Sequence, residues 1–179
     1  MGMDVYGTSP SSEAGEYFRR NVWGWRPLAD LACELAPEIA SGCKSWHYND
    51  GDGLDGPAST QLADALQAAL DDGRVDRWVS NRDATVKLMP NESCELCAGT
   101  GQRADAIALA NGQDKIACNA NTYVMGETRA HPRAGQTGWC NGCDGRGWSR
   151  PWAAAYHMDA GDVMDFIVFL RASGGFRIY

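Results

Sequence analysis

Three observations on this 179-residue chain predict an α+β fold: a small helix-and-strand domain carrying an inserted four-cysteine element. Apolar residues recur at helical spacing in three segments, and short β-compatible runs stand near both ends of the chain. The pattern C-x-x-C-x-G-x-G occurs twice, as Cys94–Gly101 and as Cys140–Gly147. The composition, 44% hydrophobic and 22% charged, is that of one ordinary soluble domain over 1–179, with the cysteine element at 94–148 inserted between helices.

The elements follow in order. Met3–Tyr6 is β-compatible and leads into the turn-rich Gly7–Ser12. Glu13–Arg20 predicts a short helix with Ser12 as its N-cap. Trp23-Gly24-Trp25 forms an aromatic knot. Pro27 suits the first turn of a helix whose apolar face is Leu28, Leu31, Leu35 and Ile39, with Pro37 ending or kinking it. A polar, glycine-rich loop runs from Trp46 to Pro57. Leu62, Ala65, Leu66, Ala69 and Leu70 then predict a second amphipathic helix, capped by Ser59 or Thr60 and stopped near Gly73. Residues 75–89, with Val75, Trp78, Val79, Thr85, Val86 and Leu88, read as strand-like. The interior of the cysteine region is weakly periodic, with a hairpin expected around Thr122–Met125. Asp159 is a candidate N-cap for a helix carrying Val163, Phe166, Ile167 and Leu170. Gly174-Gly175 ends that helix, and Phe176–Tyr179 forms a last short strand.

The cysteine motif carries the most specific chemistry. Two thiolates two residues apart can grip one metal from a single tight turn, and two such turns supply the tetrahedral sulfur set that zinc prefers. The glycines let the chain bend sharply behind each ligand. We therefore expect one structural zinc ion on Cys94, Cys97, Cys140 and Cys143. The remaining cysteines, Cys33, Cys43 and Cys118, are scattered and read as free thiols. No export signal precedes them, which agrees with a reducing, cytoplasmic setting and with metal ligation over disulfides.

The two motifs resemble the cysteine-rich zinc domain of DnaJ-type (Hsp40) chaperones. That family carries four copies and two zinc ions; two copies separated by 42 residues imply one site here. The chain is also similar to an uncharacterised family of phage and bacterial proteins opening with an MGxDVYG-like segment. Met1–Gly7, Trp23–Leu28, His47–Leu54, the cysteine motifs and Gly174–Phe176 carry that similarity. It implies a phage or prophage origin and a bacterial host cell.

Other candidates remain open. Asp50, Asp52 and Asp55 place oxygen ligands on the glycine-rich loop and could hold a second, hard cation, although an EF-hand register fails at Leu54. The alternative role for these carboxylates is to satisfy turn and cap amides. His47 could act as a base or ligand beside Asp50 and Asp52, or serve as a hydrogen-bonded structural residue. Arg129, Arg133, Arg146 and Arg150, interleaved with His131, Trp139, Trp148 and Trp152, could hold phosphates and stack bases of a nucleic acid. They could equally pack around the metal turn. The net charge of −7 lies wholly in residues 1–80, with 13 acidic against 6 basic side chains, and disfavours nonspecific nucleic-acid binding there. No apolar run is long enough to span a bilayer, and no hydrolase, P-loop or dinucleotide motif is present. The expected function is binding to a host protein, with inhibition of a bacterial defence system as one form. The alternatives are a nucleic-acid-binding regulator using 129–153 and a metal-dependent enzyme at His47, Asp50 and Asp52.

Overall fold

The computed structural model describes residues 2–103, 105–117, 121–124, 127–130 and 133–179, with backbone alone for 121–124 and 127–130. The chain divides into two compact units. Unit 1 joins residues 1–88 to 152–179, and unit 2 is residues 89–151. Helices and small antiparallel sheets make the fold α+β.

Unit 1 opens with strand β1 (Gly2–Gly7), which pairs antiparallel with β2 (Tyr17–Asn21). The predicted helix over Glu13–Arg20 is reduced to one tight turn at Glu13–Gly15. Phe18 instead sits opposite Val5, where both side chains enter the core, while the flanking Tyr17 and Arg19 face solvent. That alternation belongs to a strand. Helix α1 (Val22–Leu35) starts earlier than Pro27 suggested, because the Asn21 side chain accepts from the Gly24 amide and caps it. Pro37 opens the short α2 (Pro37–Ala40).

Helix α3 (Gly56–Asp71) is capped by Asp55, whose carboxylate accepts from the Ala58 amide. Ser59, expected as a cap, lies inside the helix and is fully buried. Its hydroxyl donates to the Leu170 carbonyl (3.0 Å) and meets Ser173 (3.1 Å). The stretch read as strand-like forms a helix instead, α4 (Arg74–Leu88), with Met89 just past its end. Val75, Trp78 and Val79 stand at i, i+3 and i+4 and turn one face to the core. That packing overrides their β propensity.

Helix α6 (Ala160–Ala172) begins in a capping box between Asp159 and Asp162, and β7 (Phe176–Ile178) closes the sheet in the order β2-β1-β7. Trp25, Leu28, Leu31, Leu62, Leu66, Phe166, Phe169 and Phe176 fill the core. Its two buried indoles are satisfied: Trp25 donates to the Trp46 carbonyl (2.6 Å) and Trp46 to that of Ala40 (3.0 Å).

Unit 2 is closed at its ends by β3 (Glu92–Ser93), paired with β6 (Trp148–Ser149). Between them lie the short α5 (Ala106–Ala110) and a hairpin of β4 (Asn121–Val124) with β5 (Glu127–Ala130). The hairpin falls where the sequence placed it. Among the described residues no helix is long and apolar enough to cross a membrane.

Candidate metal centre

The two cysteine turns are built alike. In the first, a short turn over Glu95–Cys97 carries Cys94 and Cys97, then Ala98 takes a left-handed backbone (φ 48°). In the second, Asp144 does the same (φ 50°). These are the two non-glycine residues with positive φ among the described residues. A left-handed residue costs about 1–2 kcal/mol, so its appearance at matched places marks a constraint that both turns satisfy.

The sulfurs then receive amides. Gly101 donates to Cys97 Sγ and Gly147 to Cys143 Sγ, each at 3.2 Å. The turns also interlock: Cys94 donates its amide to the Gly147 carbonyl (2.9 Å), and Cys140 donates to that of Gly101 (2.8 Å). Gly101 (φ 74°) and Gly147 (φ 82°) make this possible. A Cβ on Gly101 would stand 2.4 Å from the Gly145 carbonyl oxygen, and one on Gly147 would stand 2.3 Å from that of Gly99. Each amide-to-sulfur bond and each turn-to-turn bond thus has its counterpart in the other turn, a local two-fold arrangement.

This brings Cys94, Cys97, Cys140 and Cys143 together. All four are buried, their sulfurs lie within 4.8 Å of one another, and they could hold a metal ion. Burial pushes the Cys140 thiol up to about 12 and raises Cys143 as well. For Cys97 burial also raises the pKa, but the Gly101 amide and the neighbouring cysteines outweigh it and the net shift is downward. Four converging thiols of this kind ionise together only around a cation. Among the described residues this is the one such gathering of His, Cys, Asp or Glu ligand atoms.

The other candidates sit as follows. The Asp50 carboxylate accepts from the Asp52 amide. Asp52 accepts from Lys44 (2.6 Å), Ser45 (3.0 Å) and Gly53 (2.8 Å), and Asp55 caps α3. The Gly53 amide, followed by those of Lys44 and Ser45, holds the Asp52 carboxyl below its ordinary pKa despite some desolvation. The three carboxylates thus serve loop amides and do not converge. His47 Nε2 lies 3.1 Å from Asp30, an ion pair when the imidazole is protonated. In unit 2, Arg146 pairs with Asp144, donates to the Cys143 carbonyl (2.9 Å) and lies over the Trp148 ring at 5.2 Å. Arg150 donates to the Met89 carbonyl, and Arg133 approaches Gly101. His131, Cys118 and the side chain of Arg129 lie outside the described residues. Cys33 and Cys43 are free, half-buried and buried respectively.

Sequence spacing missed the interlocking of the two turns. Its only trace is the matched second glycine of each motif, Gly101 and Gly147.

The chain significantly matches no protein-family model, no curated protein and no solved structure. Function is therefore argued from the site.

Proposed function

We propose that unit 2 is a structural zinc module akin to the DnaJ type and that the chain acts by binding a protein partner rather than by catalysis. The observation that carries the zinc assignment is the sulfur spacing. Cys94 Sγ lies 3.9 Å from Cys140 Sγ, and Cys97 Sγ lies 3.8 Å from Cys143 Sγ. A zinc tetrahedron with Zn–S bonds of about 2.3 Å has an edge of about 3.8 Å. Four thiolates fill that tetrahedron, so zinc held here has no open position for substrate or activated water, and its role is to order the chain.

Exposed aliphatic side chains on unit 2 support the binding role: Leu96 (54% exposed), Ile107 (66%), Leu109 (54%) and Ile116 (48%). Apolar surface of this kind marks protein contacts when it is contiguous. The similarity of the opening segment to phage and bacterial proteins directs the search to the cytoplasm of a bacterial host, with a component of a defence system as the first partner to test.

Elemental analysis and X-ray absorption of the purified chain should give one zinc with four sulfur ligands. Cys94→Ser should release it and make residues 98–139 protease-sensitive. Two zinc ions, or a nitrogen ligand, would overturn the assignment. Affinity capture from bacterial lysate should retain a protein after nuclease treatment, and Leu96→Asp with Ile107→Asp should abolish the capture. Retention that depends on nucleic acid would reject the protein-partner reading.

A further inference from the structure

Helix α5 has 5 residues, little more than one turn, whereas an isolated helix needs about 12–15 residues to persist in water. Its packing is slight, since the small Ala108 is its one buried residue. The order of α5 therefore depends on how its N-terminus is held. There the Asp105 carboxylate accepts from the Ala108 amide (3.0 Å). Arg103 grips the same carboxylate twice, through Nε at 2.6 Å and Nη2 at 3.0 Å. The Arg103 side chain is only 10% exposed, so this two-pronged pair is fixed in place and not a loosely solvated surface contact.

Arg103 is itself anchored on the second cysteine turn. Its Nη1 donates to the Asn141 side-chain oxygen (3.0 Å), and its backbone amide donates to the Gly138 carbonyl (3.1 Å). Asn141 stands between Cys140 and Cys143, both buried in the cluster. The guanidinium also feels the cluster directly: its bond to Asp105 is the main cause that raises its pKa, against some desolvation, and the charges of Asp105, Cys140 and Cys94 add to it. A chain of bonds thus runs from the cysteine cluster through Asn141 and Arg103 to the cap of α5, all of it inside unit 2.

We propose that Arg103 is a positioning residue that couples metal binding at the four cysteines to the order of α5, the helix that carries the exposed Ile107 and Leu109; this rests on the metal reading above. Cysteines gathered on a metal fix the turn that carries Asn141. Asn141 and Gly138 then fix Arg103, and Arg103 aims the Asp105 carboxylate at the first turn of α5. With the cysteines apart, Arg103 loses that anchor, and α5 keeps only a local ion pair of little worth. The apolar residues of α5 are then presented in fixed positions by the metal-loaded chain alone.

The test uses the full chain, zinc-loaded and chelator-treated, and reads two quantities. One is amide hydrogen exchange at Leu109 and Asn111, whose N–H groups donate to the Asp105 and Ile107 carbonyls across α5. The other is zinc affinity by competition with a chromophoric chelator. In the parent, zinc should slow exchange at both amides. Arg103→Gln and Asn141→Ala should each leave one zinc per chain but speed exchange of the loaded chain about tenfold, the low end for a lost bond to a charged group. Because coupling is reciprocal, each should weaken zinc by a similar factor. The two substitutions together should cost no more than either alone, since they break one connection. Asp105→Asn separates this role from that of a local cap. Asn caps a helix about as well as Asp, so a cap alone would leave both quantities at parent values, whereas loss of the two-pronged grip should move both toward those of Arg103→Gln. Equal exchange in the loaded and chelator-treated parent, parent values in Arg103→Gln, or additive losses in the double variant would each overturn the coupling while leaving the metal reading intact. A parent chain that takes up no zinc would overturn the metal reading and the coupling with it.

Discussion

Gly101 and Gly112 share a left-handed backbone within unit 2, at φ 74° and φ 66°, and differ in what surrounds them. A Cβ on Gly112 meets nothing within 4 Å, whereas one on Gly101 stands 2.4 Å from the Gly145 carbonyl oxygen and 3.0 Å from its carbon. Gly112→Ala should therefore cost only the left-handed strain, about 1 kcal/mol. Gly101→Ala adds a retreat of the opposite turn by about 1 Å, because an ordinary contact begins near 3.4 Å. That retreat loosens the amide of Gly101 on Cys97 Sγ (3.2 Å) and the bond from the Cys140 amide to the Gly101 carbonyl (2.8 Å). A hydrogen bond to a charged sulfur contributes about 1.5–3 kcal/mol and a neutral one about 1 kcal/mol, which brings the total to about 3.5–5 kcal/mol. Since metal binding and ordering of the unit are coupled, the loss should appear as roughly 10³-fold weaker zinc affinity, against about tenfold or less for Gly112→Ala. Competition with a chromophoric chelator at neutral pH reads both. Gly147→Ala should match Gly101→Ala, because its Cβ meets Gly99 at 2.3 Å. Equal losses for Gly101→Ala and Gly112→Ala would refute the interlocked-turn account.

Three further outcomes are expected. Ser59→Ala should lower stability by about 1–2 kcal/mol in urea unfolding followed by helical circular dichroism, since it strips α3 of its buried hydroxyl bonds to Leu170 and Ser173. The Asp52 carboxyl is held below its ordinary value by the Gly53, Lys44 and Ser45 amides, so its stabilisation is complete above the unfolded pKa of about 4 and is lost as pH falls through the lower folded value. Asp52→Asn should remove that part of the acid dependence of melting while leaving zinc content unchanged. Burial pushes the Cys43 thiol up to about 12, so iodoacetamide near pH 8 should leave Cys43 unmodified in the native chain and alkylate it once denaturant is added; rapid native alkylation would contradict its burial.

What the sequence made legible follows the range of the interaction concerned. The cysteine cluster that could hold a metal is readable because a tight turn gathers two sulfurs from residues three apart, and the same spacing occurs twice. Asp159 is readable as a cap because its partner, Asp162, stands one turn away. Two misreadings are local, the Asn21 cap of α1 and the Asp55 cap of α3; the others turn on distant neighbours. Val75, Trp78 and Val79 carry the composition of a strand at the spacing of a helix, and only the core beneath α4 decides between them. Ser59 looks like a cap until its hydroxyl is seen between two helices, bonded to a carbonyl 111 residues away. Phe18 belongs to a strand because Val5 and the core stand opposite. The stack of Trp152 on Trp23 is the extreme case. Trp23 and Trp152 are 129 positions apart, and nothing local to either tells that their rings stack. Features that depend on chain closure thus had to come from the fold. For this chain they include both the interlocking of the two cysteine turns and the stacking of Trp152 on Trp23.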